Sequence, residues 1–474
     1  MRPVRAEIGK PGTRAGRDTA IRRTGVALLT VAIIVLALNM RAAITSLPPI
    51  FPELHSALHL SAASQSVLAA IPVLCFGVFS GVAAPLSRVF GEERVLGAAL
   101  VLLAAGLLLR GAAPSILLLP GTVLAGMAIA LMNVLLPSLV KRRRPERAGL
   151  LIGLYLMALS TGAIVASLIA VPVYQAAGGA TGAVRLTLGM WALPALIAAA
   201  VWLPQLRYRT DPGLVEPAVA EPEAAESPPA EPPPAEATPV EATPVEATPV
   251  EAPAARPAGG RPRSRLARTP LAWYVTAFMG LQSLTYYATL SWFPTIFRDR
   301  GASAVHAGTL LAVMNLGNAV TALLIPVLAH RRPDQRLLAL ITMIITAAGL
   351  AGAAFGPLSV SVPFVFLLGL GQGASLGLAI FYTMARSPDP VTAASLSAFA
   401  QSIGYLLATT GPLLLGFLHT ATGGWNVPVW VLLGIVALQL GSGWLAGRAQ
   451  TVPALALAAG GTGRGSRGIH GVSR

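Results

Sequence analysis

Twelve apolar runs, each long enough to cross a bilayer as a helix, leave this chain almost no way to fold except as a membrane bundle. Crossing the hydrocarbon takes about 20 apolar residues in a helix, because every backbone N–H and C=O must be satisfied within the segment. The runs fall at 24–46, 64–86, 95–112, 116–140, 149–173 and 186–206, and again at 271–296, 306–329, 337–357, 362–385, 392–419 and 425–447. Composition agrees. The 474 residues are 54% hydrophobic and only 11% charged, whereas a soluble domain carries roughly 25%. The fold class is therefore an all-α membrane protein of twelve transmembrane helices in two six-helix halves.

The expected organisation is a basic tail (1–23), a first bundle (24–206), a Pro/Ala/Glu-rich linker (207–270), a second bundle (271–447) and a tail (448–474). The linker repeats Glu-Ala-Thr-Pro-Val from Glu236, Glu241 and Glu246. Repeated prolines and scattered acids bury too little apolar surface to offset ordering, so it reads as disordered, with a partner-docking segment as the alternative. The first apolar run lacks a short h-region and a small-residue cleavage site, and is an uncleaved span rather than a signal peptide.

Charge sets the orientation. Taking the runs as alternating spans, 29 Lys and Arg lie on the side of the termini and linker, and four lie opposite: Arg110, Arg185, Arg298 and Arg300. This bias predicts a multi-pass protein of a bacterial inner membrane with both termini cytoplasmic. The net charge of +15 does not indicate nucleic acid, since no basic domain carries interleaved aromatics. The lone Cys75 says nothing about disulfides and makes a thiolate metal site unexpected. No cofactor or metal is expected. The partners are a small solute and the lipid, and the chain is read as a monomer.

Polar groups inside the spans carry the functional signal, because they are costly there. All nineteen Asp and Glu fall in tails, loops or the linker. A carboxylate proton relay or a carboxylate trap for an organic cation is therefore unexpected. Arg41 is the cation read inside a span, and its planar fork of donors suits a carboxylate-like anion. It stands eighteen residues past Arg23, about 27 Å along a helix, so snorkelling to the outer interface is the competing reading. On the seventh run Gln282, Ser283, Tyr286, Tyr287 and Trp292 fall within three turns. Gln282 and Tyr286 share a face, and such a lining suits a small planar solute. Trp292 fits an interfacial belt equally well. Asn133, Asn315, Asn318, Gln372 and Gln401 are either lining or interhelical glue. Glycines around Gly369-Leu-Gly-Gln-Gly373 allow close helix packing, since no strand precedes them to form a nucleotide loop.

The halves resemble each other. Superposing Pro48 on Pro294 matches Ile50-Phe51 to Ile296-Phe297 and sets Arg41 opposite Tyr287. Parallel six-helix repeats place the solute site between the halves near the midplane.

This two-halved layout resembles the major facilitator superfamily. Within it, LNMRAAITSLPPIFPEL (38–54), LMNVLLPSLVK (131–141), GLQSLTYYATLSWFPTIF (280–297), GLGQGAS (369–375) and LSAFAQSIGYLLATTGPLLLGFLHTATGGW (396–425) are similar to the cyanate/nitroimidazole transporter branch. The resemblance implies the major facilitator fold, with Arg41, Asn133, Gln282, Tyr287, Gln372 and Gln401 as in-membrane polar positions. It departs from the superfamily pattern after the second span, where Arg88 holds the usual Asp position, so the gating salt bridge must differ.

The expected function is secondary active or facilitative transport, by alternating access, of a small anionic or planar polar solute such as cyanate. The expected binding residues are Arg41, Asn133, Gln282, Tyr286, Tyr287, Gln372 and Gln401. Without an intramembrane acid, the expected mode is uniport, exchange or a proton carried by the substrate. Export of a small toxic compound is the alternative. A membrane enzyme or sensor is disfavoured. Glu53, His55, His59 and His306 sit in short outer loops with no catalytic spacing, no folded soluble domain is evident, and no P-loop exists to use ATP.

Overall fold

The computed structural model describes residues 12–112, 115–207 and 266–454, with side chains from Leu28 onward. The disordered linker expected at 207–270 falls almost wholly on 208–265, outside the described residues. All regular structure among the described residues is helical. The first span is Gly12–Thr45, which begins inside the segment read as the basic tail. It continues through the turn Pro48–Ile50 into the short helix Phe51–Leu58. The second to fifth spans are Ala62–Phe90, Glu92–Gly111, Leu118–Arg143 and Ala148–Ala176. The sixth is two pieces, Thr181–Gly189 and Ala192–Trp202; it breaks just before Pro194, which has no N–H to continue the ladder. The seventh to twelfth are Pro270–Asp299, Ala304–His330, Arg336–Phe355, Ser361–Ala385, Pro390–Thr422 and Asn426–Ala446.

Local chemistry sets the starts. Ser61 and Ser303 cap the second and eighth spans by accepting from the N–H groups of Ser64 and His306. Asp389 caps the eleventh, accepting from both the hydroxyl and the N–H of Thr392. Those hydrogen bonds, the hydroxyl's foremost, hold its carboxyl below the ordinary Asp range.

Eleven described helices are long and apolar enough to cross a membrane. The seventh span has the length too, but it carries Gln282, Ser283, Thr285, Tyr286, Tyr287, Thr289 and Ser291, all buried. A helix this polar survives among apolar neighbours because its polar face is turned into the bundle. Leu108, Ile197, Leu324, Ile344 and Leu438 stand exposed on the exterior, as lipid contact requires.

Close packing in the second half depends on absent side chains. A Cβ on Gly369 or Gly373 of the tenth span would meet the carbonyl oxygen of Met314 or Asn318 on the eighth, and one on Gly371 would meet Thr346 on the ninth. The glycine run is thus a packing surface. Gly373→Val is expected to cost at least about 1–3 kcal/mol by overpacking, seen as a lower melting temperature of the purified protein. An unchanged melting temperature would refute this packing.

At the end where the odd-numbered spans begin, here the basic end, Glu92 and Glu93 start the third span. They pair with Arg142 (3.2 Å) and Arg143 (2.7 Å) at the close of the fourth. Trp202 adds a hydrogen bond from Nε1 to the Glu93 carbonyl. These carboxylates anchor helices of the first half where the usual acidic loop residue is missing. At the opposite, far end the two halves meet. Glu53 pairs with Arg298, Phe51 packs on Trp292 with ring centroids 5.9 Å apart, and a Cβ on Gly308 would lie 2.7 Å from the Ser167 carbonyl oxygen. Trp292 is only 2% exposed and donates to the Pro412 carbonyl, so it belongs to the interior rather than a lipid belt. Arg110, counted by charge with the opposite side, is drawn into the interior instead. It occupies the last turn of the third span and is 3% exposed.

Candidate functional site

Arg41 lies near the middle of the spanning segment Leu28–Leu58, because the chain continues past Thr45 through Pro48–Ile50 into another helix. Its guanidinium turns into the bundle instead of running to an interface. The Cζ atom stands 5.5 Å from the Tyr286 ring centroid and 6.0 Å from that of Tyr287, within range of cation–π attraction. Nη1 donates to the Tyr287 hydroxyl at 3.4 Å. Among the described residues, no carboxylate pairs with Arg41.

Aromatic groups from both halves complete the surroundings. Tyr286 and Tyr287 meet edge to face, 5.1 Å apart. The Tyr286 hydroxyl donates to Asn315 Oδ1 at 3.0 Å, and Asn315 Nδ2 donates back to the Leu311 carbonyl. Phe76 of the second span packs against Tyr287 and, at 5.6 Å, against Tyr405 of the eleventh. Tyr155 and Tyr405 lie within electrostatic reach of the guanidinium. Between the fifth and eighth spans a small cleft of about 60 Å³ is lined by Arg41, Ser160, Tyr286, Asn315, Asn318 and Leu323 among others.

A cation without a counter-ion, flanked by ring faces and phenol hydroxyls, can hold a small anion by its fork and a planar solute by stacking. Nothing in the cluster is a nucleophile beside a base, and its neutral members offer only hydroxyls and amides.

The structure joins three of the sequence-predicted residues directly: Arg41, Tyr286 and Tyr287. Asn133 accepts a hydrogen bond from Tyr155 at 3.0 Å and so borders the cluster. The three glutamines are engaged elsewhere. Gln282 donates to Ser283 Oγ beside it. Gln372 donates to Thr289 Oγ1, tying the tenth span to the seventh. Gln401 donates to Ser397 Oγ one turn back on its own helix. Tyr155, Tyr405 and Phe76 were not singled out in the sequence. The one available signal was tyrosine well inside a span, away from the ends where belt tyrosines sit.

The family model of the Major Facilitator Superfamily matches residues 29–409. The chain is similar to the 2-nitroimidazole transporter of Escherichia coli (strain K12), with 33% identity over 413 residues, covering 87% of this chain and 93% of that one. It is also similar to the cyanate transport protein CynX of the same organism, with 29% identity over 413 residues, covering 86% and 95%. Among solved structures, a bacterial homolog of the human lysosomal transporter Spinster superposes with a TM-score of 0.66 at 16% identity, covering 90% of this chain and 97% of that one. That likeness concerns the fold alone.

Proposed function

The chain belongs to the Major Facilitator Superfamily, as a small-solute transporter in the branch of the nitroimidazole and cyanate transporters and not an enzyme, and from that premise we propose what it carries and how. The solute is small and planar, either an anion of the cyanate kind or a polar ring of the nitroimidazole kind. It binds against Arg41, Tyr286 and Tyr287, with Asn133, Asn315, Tyr155 and Tyr405 around it. The observation that carries this reading is the interior guanidinium of Arg41, held by two tyrosine rings and paired with no acid among the described residues. A half-buried charge without a counter-ion in the membrane is costly, and a bound anion offsets that cost.

Transport proceeds by alternating access, with the halves rocking about this site. The contacts of Glu53 with Arg298 and Phe51 with Trp292 support a state closed at the far end. Among the described residues no carboxylate faces Arg41 to relay a proton, so the mode is uniport or exchange, or any proton travels on the solute. The charge bias of the loops supports cytoplasmic termini in a bacterial inner membrane. The functional unit is a monomer.

The test is equilibrium binding of labelled cyanate to the purified full chain. Binding should saturate and be competed by 2-nitroimidazole but not by xylose. Tyr287→Phe removes the hydroxyl that accepts from Arg41 and should weaken binding about 2- to 10-fold, the worth of one hydrogen bond. Absence of saturable binding of either probe, or competition by xylose, would overturn the proposal.

A further inference from the structure

A fully buried guanidinium lies on the far-end side of Arg41, which is itself only partly buried. Arg110 reaches from the last turn of the third span to the first, where Nη1 donates to the Ala43 carbonyl at 2.7 Å. That carbonyl lies in the last turn of its helix and has no onward helical partner, so this bond caps the helix. The rest of the guanidinium is unused. Nε and Nη2 are buried with no hydrogen-bond partner, and no carboxylate among the described residues pairs with it. A capping role needs one N–H. It does not account for two orphaned donors on a charge 3% exposed, which buried polar groups rarely tolerate.

Arg110 lines a narrow crevice of about 10 Å³ in this closed state, whose other walls include Phe51, Thr122, Tyr287 and Ser291. Tyr287 is the residue whose hydroxyl accepts from Arg41. Tyr287 therefore both contacts Arg41 and lines the crevice that Arg110 borders, and Phe51, which helps close the far end, walls the same crevice.

We propose that Arg110 is an anion-binding residue of an outer station. It receives the small planar anion when the far end opens and passes it beyond Tyr287 to Arg41. The inference rests on the reading of Arg41 as the central site and adds a second site to it. The ligand class is a small monovalent anion of carboxylate or cyanate type. Nε and Nη2 supply the donors that Ala43 leaves free.

The test uses the full chain in proteoliposomes, with labelled cyanate and labelled 2-nitroimidazole as probes and entry measured separately through each end. At a mildly acid pH that keeps the ring N–H of 2-nitroimidazole in place, Arg110→Gln should raise the KM for cyanate through the far end about tenfold, and at least about five times more than it raises the KM for the neutral 2-nitroimidazole. Arg110→Lys keeps the charge but not the planar fork and should recover only part of the loss. Equal changes for both probes would reduce Arg110 to a helix cap. An unchanged cyanate KM in a variant that melts like the parent would also overturn the station. Should Arg110→Gln fail to fold, Arg110→Lys decides. A shift smaller than about tenfold and larger for cyanate than for 2-nitroimidazole supports the station, and equal shifts overturn it. Arg41→Ala, run in parallel, separates the two claims. Loss of cyanate binding in Arg41→Ala with no cyanate-selective effect at Arg110 leaves the central site standing and removes only the outer station.

Discussion

Arg41→Lys should lose most cyanate binding although it keeps the positive charge. The guanidinium presents a planar pair of donors and lies against two aromatic faces, 5.5 and 6.0 Å from their centroids. An ammonium is a more strongly hydrated point charge that neither forks nor stacks as well. Truncating one partner of a buried, hydrogen-bonded charge pair costs about 2–5 kcal/mol. This corresponds to about 30- to several-thousand-fold in Kd, with Arg41→Lys at the lower end and Arg41→Ala at the upper. The measurement is isothermal titration or radioligand binding on purified variants whose melting temperatures match the parent. Cyanate affinity within about threefold of the parent in Arg41→Ala would remove Arg41 from the site.

The second large effect is conformational. Glu53 lies on the short helix after the first span, is 7% exposed, and pairs with Arg298 at the close of the seventh. This ion pair bridges the halves at the same end as the Phe51–Trp292 contact. Glu53→Gln leaves Arg298 without its charge partner. Because Arg298 is a quarter exposed, the cost is reduced by screening to about 1–3 kcal/mol. That cost falls only on the state closed at the far end, so the balance should shift toward far-end opening about 5- to 150-fold. Ser66 reports it: a Cβ on Gly416 of the eleventh span would meet Ser66 Oγ across the interface. In a Cys75→Ser background, Ser66→Cys should react with a membrane-impermeant maleimide faster by that factor when Glu53→Gln is added. The double swap Glu53→Arg with Arg298→Glu should slow it again. Labelling that ignores Glu53→Gln would show that the pair does not hold the far end.

Much of the fold was legible because hydrocarbon solvent makes a simple demand on sequence. Eleven helices announce themselves by length and hydropathy. The seventh reads as an apolar run at 271–296 even though Gln282 to Ser291 dilute it. The resemblance between halves carried further than its weakness suggested. It set Arg41 opposite Tyr287, and in the structure their side chains touch at 3.4 Å. Residues related by a repeat axis can meet when they lie close to that axis, which is also where a solute site between halves belongs.

The rest was hidden for identifiable reasons. Sequence places an amide at a depth in the membrane but does not say which neighbour satisfies it. Gln282 and Gln401 sit deep in their spans, yet Ser283 and Ser397 take up their donors. Tyr155 and Tyr405 looked like ordinary span residues because their roles depend on facing Arg41 from other helices. Arg110, one residue from the end of its helix, reads as an interface charge. Only the kink of the first span toward Pro48 leaves an open carbonyl at Ala43 for it to cap. Glu53 read as a loop acid because its partner is 245 residues away.

The central claim is that a small planar solute crosses this protein by way of Arg41, without a protein carboxylate to carry a proton. Solute counterflow tests it most directly. Proteoliposomes holding the full chain are loaded with unlabelled cyanate, and labelled cyanate is added outside with the proton gradient collapsed. The expected result is transient accumulation of label above its equilibrium level, with the same magnitude between about pH 6 and 8, where neither arginine nor tyrosine ordinarily titrates. Arg41→Ala should show none. Accumulation that appears only with an imposed proton gradient, or that persists undiminished in Arg41→Ala, would contradict the account.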